Sequence, residues 1–279
     1  MPELPEVETV KNGIEKAIGN SLIVDVKVFN RKFREPIPET FEKIVSGSKI
    51  IKYKRIGKYL VIDLSNQKSI IWHLGMSGKV KILDTKPHSL EKHDHVVINT
   101  DNGTLIFNDT RRFGVLTVED TKNLLNNKYL HRMGVDPFDT KFTDNHLFDK
   151  LKNKKIPIKV ALLDQTIVAG IGNIYASEIL YDAGISPLRE SDKVTKKECE
   201  SLVKSTRKIL QKAIENGGST LRDYQKPDGS LGYFQNLHAV YNKEGHKCPN
   251  CTCDINKNGG IKKIVQAGRS TFYCPILQK

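Results

Sequence analysis

The sequence predicts an α+β, multidomain chain: an N-terminal β-sandwich with a leading helix, then a C-terminal helical domain with a β-hairpin, zinc-finger-like appendage. Three observations predict it. Up to about residue 118, short runs of Val, Ile and Leu alternate with Gly, Asn, Asp and Ser, as in a sandwich or flattened barrel. Beyond that region apolar residues recur at helical spacing. Four of the five cysteines fall at or after Cys248. A length of 279 residues suits two domains and a small appendage.

Each element has a local reason. Val7, Val10, Ile14 and Ile18 form a helical stripe from Pro5 onward, and proline suits a first turn. Strands are expected at 21–29, 58–64, 69–73, 79–83, 95–99, 104–107 and 115–118. The period changes near 133–138, which makes Gly134-Val135-Asp136-Pro137 the expected linker. Helices are expected at 144–152, 158–164 and 173–183, the last stopping at Gly184. Thr195-Lys196-Lys197-Glu198 reads as a capping box before a long amphipathic helix. Its buried stripe would be Cys199, Leu202, Thr206, Ile209, Ala213 and Ile214, and Gly217-Gly218 would end it. Residues 217–235 are Gly-rich and polar and read as a mobile loop. The expected domains are 1–133, 134–237 and 238–279. No internal repeat or low-complexity tract is evident.

Composition narrows the function classes. Hydrophobic residues make up 38% and charged residues 28%, which argues against wholesale disorder. No apolar run reaches about 18 residues, so a helical membrane span is not expected. Lys+Arg 45 against Asp+Glu 32 leaves a net charge of +13. A polyanionic partner follows, nucleic acid being the commonest, although a lysine-rich proteome gives the same balance. The opening residues lack a basic start and an apolar core, so no secretion signal is expected. Clustered cysteines then point to metal ligation in a reducing, cytoplasmic compartment rather than to disulfides.

Several clusters could carry chemistry. Removal of Met1 would leave Pro2 with a free secondary amine of pKa about 8, against about 10.4 for lysine. A fraction is then neutral at pH 7 and can attack a carbonyl-like carbon, giving an iminium that acts as an electron sink. Glu3 and Glu6 stand beside it as acid, base or orienting groups. Prolines and acids are also favoured at helix starts for structural reasons alone. His73-Leu74-Gly75-Met76-Ser77-Gly78 and Thr110-Arg111-Arg112-Phe113-Gly114 read as surface turns carrying apolar wedges and arginines, or as ordinary turns with Met76 and Phe113 tucked inward. In His93-Asp94-His95, one phosphate-contacting and one structural histidine are expected in preference to a metal pair. Lys152-Asn153-Lys154-Lys155 is a basic run, by default a solvated face. Gly170-Ile171-Gly172-Asn173 leads a turn into a helix N-terminus, a general anion-binding device. Cys248, Cys251 and Cys274 supply at most three thiolate ligands, with Cys253 or His246 as a fourth, and a zinc-free hairpin is the alternative. Gly268-Arg269-Ser270 would present Arg269 at a hairpin tip.

Taken together these motifs resemble one family. Met1-Pro2-Glu3-Leu4-Pro5-Glu6-Val7-Glu8-Thr9, Gly57-Lys58-Tyr59-Leu60, His73 to Gly78, Lys92 to His95, Arg111 to Gly114, Gly170 to Glu178 and Arg269 to Cys274 occur in order. The chain is similar, from Pro2 to Lys279, to the bacterial formamidopyrimidine-DNA glycosylases. The resemblance implies a β-sandwich joined to a helix–two-turns–helix domain with a zinc hairpin, DNA lying in the cleft between domains. It implies a bifunctional glycosylase and abasic-site lyase of base excision repair that removes oxidised purines. Pro2 would be the nucleophile forming a Schiff base at the sugar C1′. Glu3 would be the proton donor and Glu6 a positioning group. Lys58 would serve β-elimination, and Arg269 would hold phosphates and favour δ-elimination. Met76, Arg111 and Phe113 would fill the gap left by the extruded base. His93, Arg111, Lys154 and Asn173 would contact DNA, and residues 217–235 resemble the lesion-capping loop. The implied setting is a monomer on damaged double-stranded DNA in the bacterial cytoplasm, at the nucleoid, with no membrane contact.

One departure stands out. The family usually closes its finger with Cys-x-x-Cys, and here Leu277 takes the last place. Extra sequence at 252–260 also separates the first cysteine pair from the hairpin. The structural zinc is therefore the open part of the resemblance, while Arg269 is retained. A non-catalytic damage binder and an endonuclease VIII-like enzyme for oxidised pyrimidines are the competing readings. Pro2, Glu3 and Lys58 argue against the first, and Leu4 with the long 217–235 loop against the second.

Overall fold

The computed structural model describes residues 1–87, 89–219, 233–252 and 254–279. The chain divides into two compact units, Met1–His131 with Ile214–Gln235, and Arg132–Ala213 with Asn236–Lys279. The segment from Asn236 onward therefore packs as part of the second unit, and the segment from Ile214 to Gln235 as part of the first.

The first unit opens with helix α1 (Leu4–Ile18), whose apolar stripe Val7, Val10, Ile14 and Ile18 is buried. There follow β1 (Ile23–Val28), α2 (Phe41–Val45), β2 (Ile50–Ile56), β3 (Tyr59–Leu64), β4 (Lys68–His73), β5 (Gly78–Leu83), β6 (Asp94–Thr100), β7 (Gly103–Asp109) and β8 (Val115–Asp120). The strands form two four-stranded antiparallel sheets, ordered β1-β6-β7-β5 and β2-β3-β4-β8. The expected sandwich is thus present, with α1 packed against strands of both sheets. Its core joins the α1 stripe to Leu60, Ile62, Trp72, Val96, Leu105 and Phe107. Val61 and Ile71 point the other way and meet Leu124 and Leu130. Both faces of β3 and β4 are covered, so these strands read as unbroken apolar runs rather than alternating ones.

Strand β2 was not expected from the sequence. Lys52, Lys54 and Arg55 interrupt its apolar pattern, and it lies at a sheet edge, where charged side chains discourage pairing with another chain. The short helix α2 was also not expected.

The second unit carries α3 (Asp144–Leu151), α4 (Ile158–Leu162), α5 (Asn173–Asp182) and α6 (Lys196–Glu215). Thr143 caps α3 by accepting the His146 N–H at 3.1 Å. The capping box on α6 is made: the Glu198 N–H donates to Thr195 Oγ1 (3.3 Å), and the Thr195 N–H to Glu198 Oε2 (2.8 Å). Cys199, Leu202, Thr206, Ile209 and Ala213 of its expected stripe are buried, joined by Val203 and Leu210, while Ile214 is only half-buried. Gly134 leaves no room for a side chain, since a Cβ there would lie 2.7 Å from the backbone of Thr166 and Ile167. The unit ends with α7 (Ile255–Asn258) and the hairpin β9 (Lys262–Gln266) and β10 (Arg269–Tyr273). Phe272 and Ile261 pack with Val240, Tyr181, Cys248 and Cys274 in a small core beneath the hairpin. No helix among the described residues is long and apolar enough to cross a membrane.

Candidate active site and nucleic-acid surface

In the first unit, the start of α1 gathers three expected residues. Pro2 is buried just ahead of the helix, behind an exposed Met1. Glu3 is the N-cap and Glu6 the third helical residue, and both are buried (3% and 2% exposed). Glu6 Oε2 accepts the Glu3 N–H at 2.8 Å, and Glu6 Oε1 accepts the Ser219 N–H at 2.8 Å. That second bond requires glycine at 218: its φ is +77°, and a Cβ would lie 2.8 Å from Glu6 Oε1. The remainder of the expected 217–235 loop, residues 220–232, lies outside the described residues.

Lys58 follows Gly57 in the turn between β2 and β3 and is 7% exposed. An ion pair ties that turn to α1. Arg55 Nε donates to Glu8 Oε2 at 2.7 Å, and its guanidinium donates to the Gly57 carbonyl at 3.2 Å. Burial pushes the Glu8 carboxyl up, but Lys11 and Arg55 outweigh it and hold the group below its usual range. The lysine and the proline are therefore mounted on elements joined by a half-buried salt bridge.

His73 ends β4. Burial, with the charges of Lys58 and Arg34, pushes its pKa down to about 4. The ring is then neutral at pH 7. Its Nδ1 accepts the Gly75 N–H at 3.0 Å, so the proton sits on Nε2.

Of the two readings of the turns carrying Met76 and Phe113, the exposed one is found. Met76 and Phe113 are 36% and 42% exposed, and the Arg111 guanidinium lies 4.8 Å from the Phe113 ring centroid. Both turns are held from beneath by Asp109, which is fully buried. Ser77 Oγ donates to Asp109 Oδ1 (2.6 Å), as does the Arg111 N–H (3.2 Å), and the Gly114 N–H donates to Oδ2 (2.9 Å). The histidine pair divides its work. His95 is buried, with Nε2 2.9 Å from the Asp109 carbonyl and its ring against Phe33, while His93 is half-buried.

In the second unit, Asn173 begins α5 behind Gly170 (φ +93°) and Gly172. Its main partner carries no mark in the sequence. Lys159 of α4 is fully buried, and its Nζ donates to Asn173 Oδ1 (2.5 Å), Thr271 Oγ1 (2.7 Å) and the Ser270 carbonyl (3.0 Å). Asn173 Nδ2 also donates to the Ser270 carbonyl at 2.9 Å. One ammonium thus joins the α5 start to the first residues of β10, directly after the exposed Arg269. Glu178, also buried, accepts the N–H groups of Ala239, Val240 and Tyr241 at 2.7–3.0 Å. That places the Tyr241 hydroxyl 3.5 Å from Asn173 Nδ2. The signal for Lys159 was a lysine on the inward side of an apolar helix, Ile158-Lys159-Val160-Ala161-Leu162, with nothing to mark it as more than a solvated charge. Lys154 is half-buried, and its carbonyl accepts the Asp192 N–H.

The sulfur atoms of Cys248, Cys251 and Cys274 lie within 4.8 Å of one another, a spacing that fits a single metal ion. Burial pushes the Cys274 thiol up to about 12, and the backbone N–H groups of Leu277 and Ile276 pull against it. Leu277 occupies the place of a fourth thiol and offers only its N–H, 3.4 Å from Cys274 Sγ. His246 is exposed, with Nδ1 3.1 Å from the Glu244 carbonyl, and is not part of this cluster. Cys253 lies outside the described residues.

Comparison with known proteins agrees with this arrangement. Residues 1–116 match the family model of the formamidopyrimidine-DNA glycosylase N-terminal domain, and residues 133–225 that of the formamidopyrimidine-DNA glycosylase H2TH domain. The chain is 43% identical to the formamidopyrimidine-DNA glycosylase of Rhodospirillum centenum and 41% to that of Dinoroseobacter shibae, each match covering 100% of both chains. Among solved structures it is similar to a Lactococcus lactis FPG variant in complex with Fapy-dG containing DNA (TM-score 0.89, 36% identity, 100% of both chains). It is also similar to MutM (FPG) from Thermus thermophilus (TM-score 0.87, 34% identity, 99% of this chain and 98% of that one). With its sandwich, its helical domain and its Pro-Glu-Leu-Pro-Glu start, the chain belongs to the formamidopyrimidine-DNA glycosylase family of DNA-repair glycosylases.

Proposed function

We propose that the protein removes oxidised purines, 8-oxoguanine and formamidopyrimidines, from double-stranded DNA and then cuts the strand by β,δ-elimination. The observation that carries this reading is the buried group Pro2, Glu3 and Glu6 at the start of α1, to which the Lys58 turn is tied through Arg55 and Glu8.

Once Met1 is removed, the neutral Pro2 amine attacks C1′ of the damaged nucleotide and the bond from C1′ to the base breaks. Glu3 delivers a proton to the sugar ring oxygen as the C1′–O4′ bond opens, leaving an iminium on Pro2. Lys58 handles the C2′ proton, and the iminium accepts the electrons as the 3′ phosphate leaves. Arg269 steadies the phosphates and favours departure of the 5′ phosphate. Met76, Arg111 and Phe113 replace the stacking lost when the base is extruded, which costs a few kcal/mol. His93, Lys154 and Asn173 contact the backbone, and the Nε2–H of His73 is available to a phosphate oxygen. Cys248, Cys251 and Cys274 would hold a structural zinc that fixes the base of the hairpin. The protein would act as a monomer, in the cytoplasm at the nucleoid.

The test is borohydride trapping on a duplex with one 8-oxoguanine opposite cytosine, with the adduct mapped by peptide mass spectrometry. An adduct on an N-terminal Pro2, absent in Pro2→Gly, is the expected result. Tight binding to the lesion with no adduct and no base release would make the protein a damage binder. Release of thymine glycol in preference to 8-oxoguanine would place its substrate among pyrimidines.

A further inference from the structure

We propose that Asp109 is the positioning residue for base extrusion, holding the three wedge side chains as one rigid block. This rests on the wedge reading of Met76, Arg111 and Phe113 given above.

Asp109 ends β7 and is fully buried; its carboxylate accepts from a hydroxyl and two backbone N–H groups. Each of those donors belongs to a wedge turn. Ser77 adjoins Met76; the Arg111 amide carries the arginine itself; the Gly114 amide follows Phe113. Ser77 Oγ accepts the Arg111 N–H at 3.0 Å while donating to Asp109, so the two turns are cross-linked through one hydroxyl. The Asp109 backbone extends the knot, since its N–H donates to the His93 carbonyl at 3.1 Å and its carbonyl meets His95 Nε2. The turns also interlock sterically. A Cβ on Gly75 would lie 2.5 Å from Gly114 N, and one on Gly114 would lie 2.6 Å from the Phe107 ring.

A wedge replaces lost stacking only if it keeps its shape when pressed into the base stack. Met76 and Phe113 are exposed on the turns that carry them. Their stiffness must come from the backbone that carries them, and that backbone is fixed by Asp109. Asp109 contacts neither the reacting atoms nor the Pro2 cluster through any of these bonds, so its contribution belongs to opening the duplex rather than to breaking the glycosidic bond.

Asp109→Asn is the sharpest variant. Asparagine can still accept from Ser77 and Arg111 through its oxygen, but its amide nitrogen then faces the Gly114 N–H, donor against donor. Ser77→Ala leaves the carboxylate in place and removes only the cross-link, so it carries the test should Asp109→Asn fail to fold. Two substrates separate opening from chemistry: 8-oxoguanine opposite cytosine in a duplex, and a single-stranded abasic oligonucleotide trapped with borohydride. Loss of one charge-assisted bond predicts duplex excision slower by about tenfold for Asp109→Asn and about threefold for Ser77→Ala. Trapping on the single strand should stay within about twofold of the unsubstituted protein. A 2-aminopurine beside the lesion should brighten more slowly in both variants. Equal losses on both substrates would make Asp109 a general structural residue, and no loss on either would leave it without this role; both overturn the proposal. A Phe113→Ala protein with undiminished duplex excision would remove the wedge reading and this inference with it, while failure of the unsubstituted protein to trap either substrate would remove the enzymatic reading instead.

Discussion

In the first unit the organising group is a carboxylate; in the second it is an ammonium. Asp109 gathers N–H and O–H donors from the turns that carry Met76 and Phe113, and Lys159 gathers oxygens from the α5 start and the hairpin. Both are fully buried, and each bonds several uncharged groups. The difference lies in what each holds. Asp109 joins turns that are near neighbours in sequence, within 32 residues of Ser77. Lys159 joins elements 112 residues apart, which the Asn173–Ser270 bond and the small core beneath the hairpin also connect. A surface loop can be fixed cheaply from inside its own hairpin stack. A surface assembled from distant segments needs a longer, multiply bonded side chain to reach them all.

That contrast can be broken by experiment. Removing Lys159 takes the ammonium from Asn173 Oδ1 and Thr271 Oγ1 and leaves the Ser270 carbonyl only its Asn173 donor among the bonds described, so Lys159→Met should destabilise the protein by about 3 kcal/mol. Trp72 is the single tryptophan and lies in the first unit, so its fluorescence reads that unit, while far-ultraviolet circular dichroism is weighted towards the helical second unit. The loss should appear mainly in the dichroism transition of a denaturant titration. An equal shift in both signals would mean that Lys159 does not act locally.

A second test uses two histidines, one in each unit, whose pKa values burial lowers. Burial, with the charges of Lys58 and Arg34, holds His73 at about 4, and burial with the charge of Lys243 holds His238 at about 4. Both are neutral when folded and gain a proton on unfolding below about pH 6.5. Their contribution is therefore complete above that pH and is lost as pH falls towards 4, by about 2 kcal/mol for each histidine. His238→Gln should flatten the acid slope of the dichroism signal and leave that of Trp72 fluorescence unchanged. A slope that survives in both signals would refute the assignment.

The smallest expected effect is on salt dependence. Arg269→Ala should reduce the slope of log affinity against log salt by about one, as loss of one phosphate contact requires, while Asn173→Ala should weaken binding at unchanged slope. Matching slopes for the two variants would show that Arg269 does not neutralise a phosphate.

Much of the fold was legible because the rules that shape it are local. The α1 stripe, the Thr195–Glu198 box and seven strands of the sandwich each leave a periodic or capping signature. Strand β2 did not, because Lys52, Lys54 and Arg55 replace alternation with the charge that protects an edge. The residues proposed to react stand out in the sequence through motif and resemblance. The residues that hold them were not. Asp109 and Lys159 sit in sequence as ordinary charges, and only the three-dimensional path of the chain turns each into a hub. Arg55 and Glu8 are 47 residues apart, and no periodicity pairs them.

The bond between Glu6 and Ser219 spans 213 residues. During synthesis, at roughly 5–20 residues per second, the N-terminal end emerges from the ribosome many seconds before Ser219 does. Until then the Glu6 carboxylate lacks one of its two backbone donors, and the amine-bearing end of the chain is not yet seated as in the finished protein. A nascent or truncated chain thus carries the Pro-Glu-Leu-Pro-Glu start without its full setting. The fold completes the surroundings of Glu6 only when about four-fifths of the polypeptide has been made, a form of timing written into chain order rather than into any regulator.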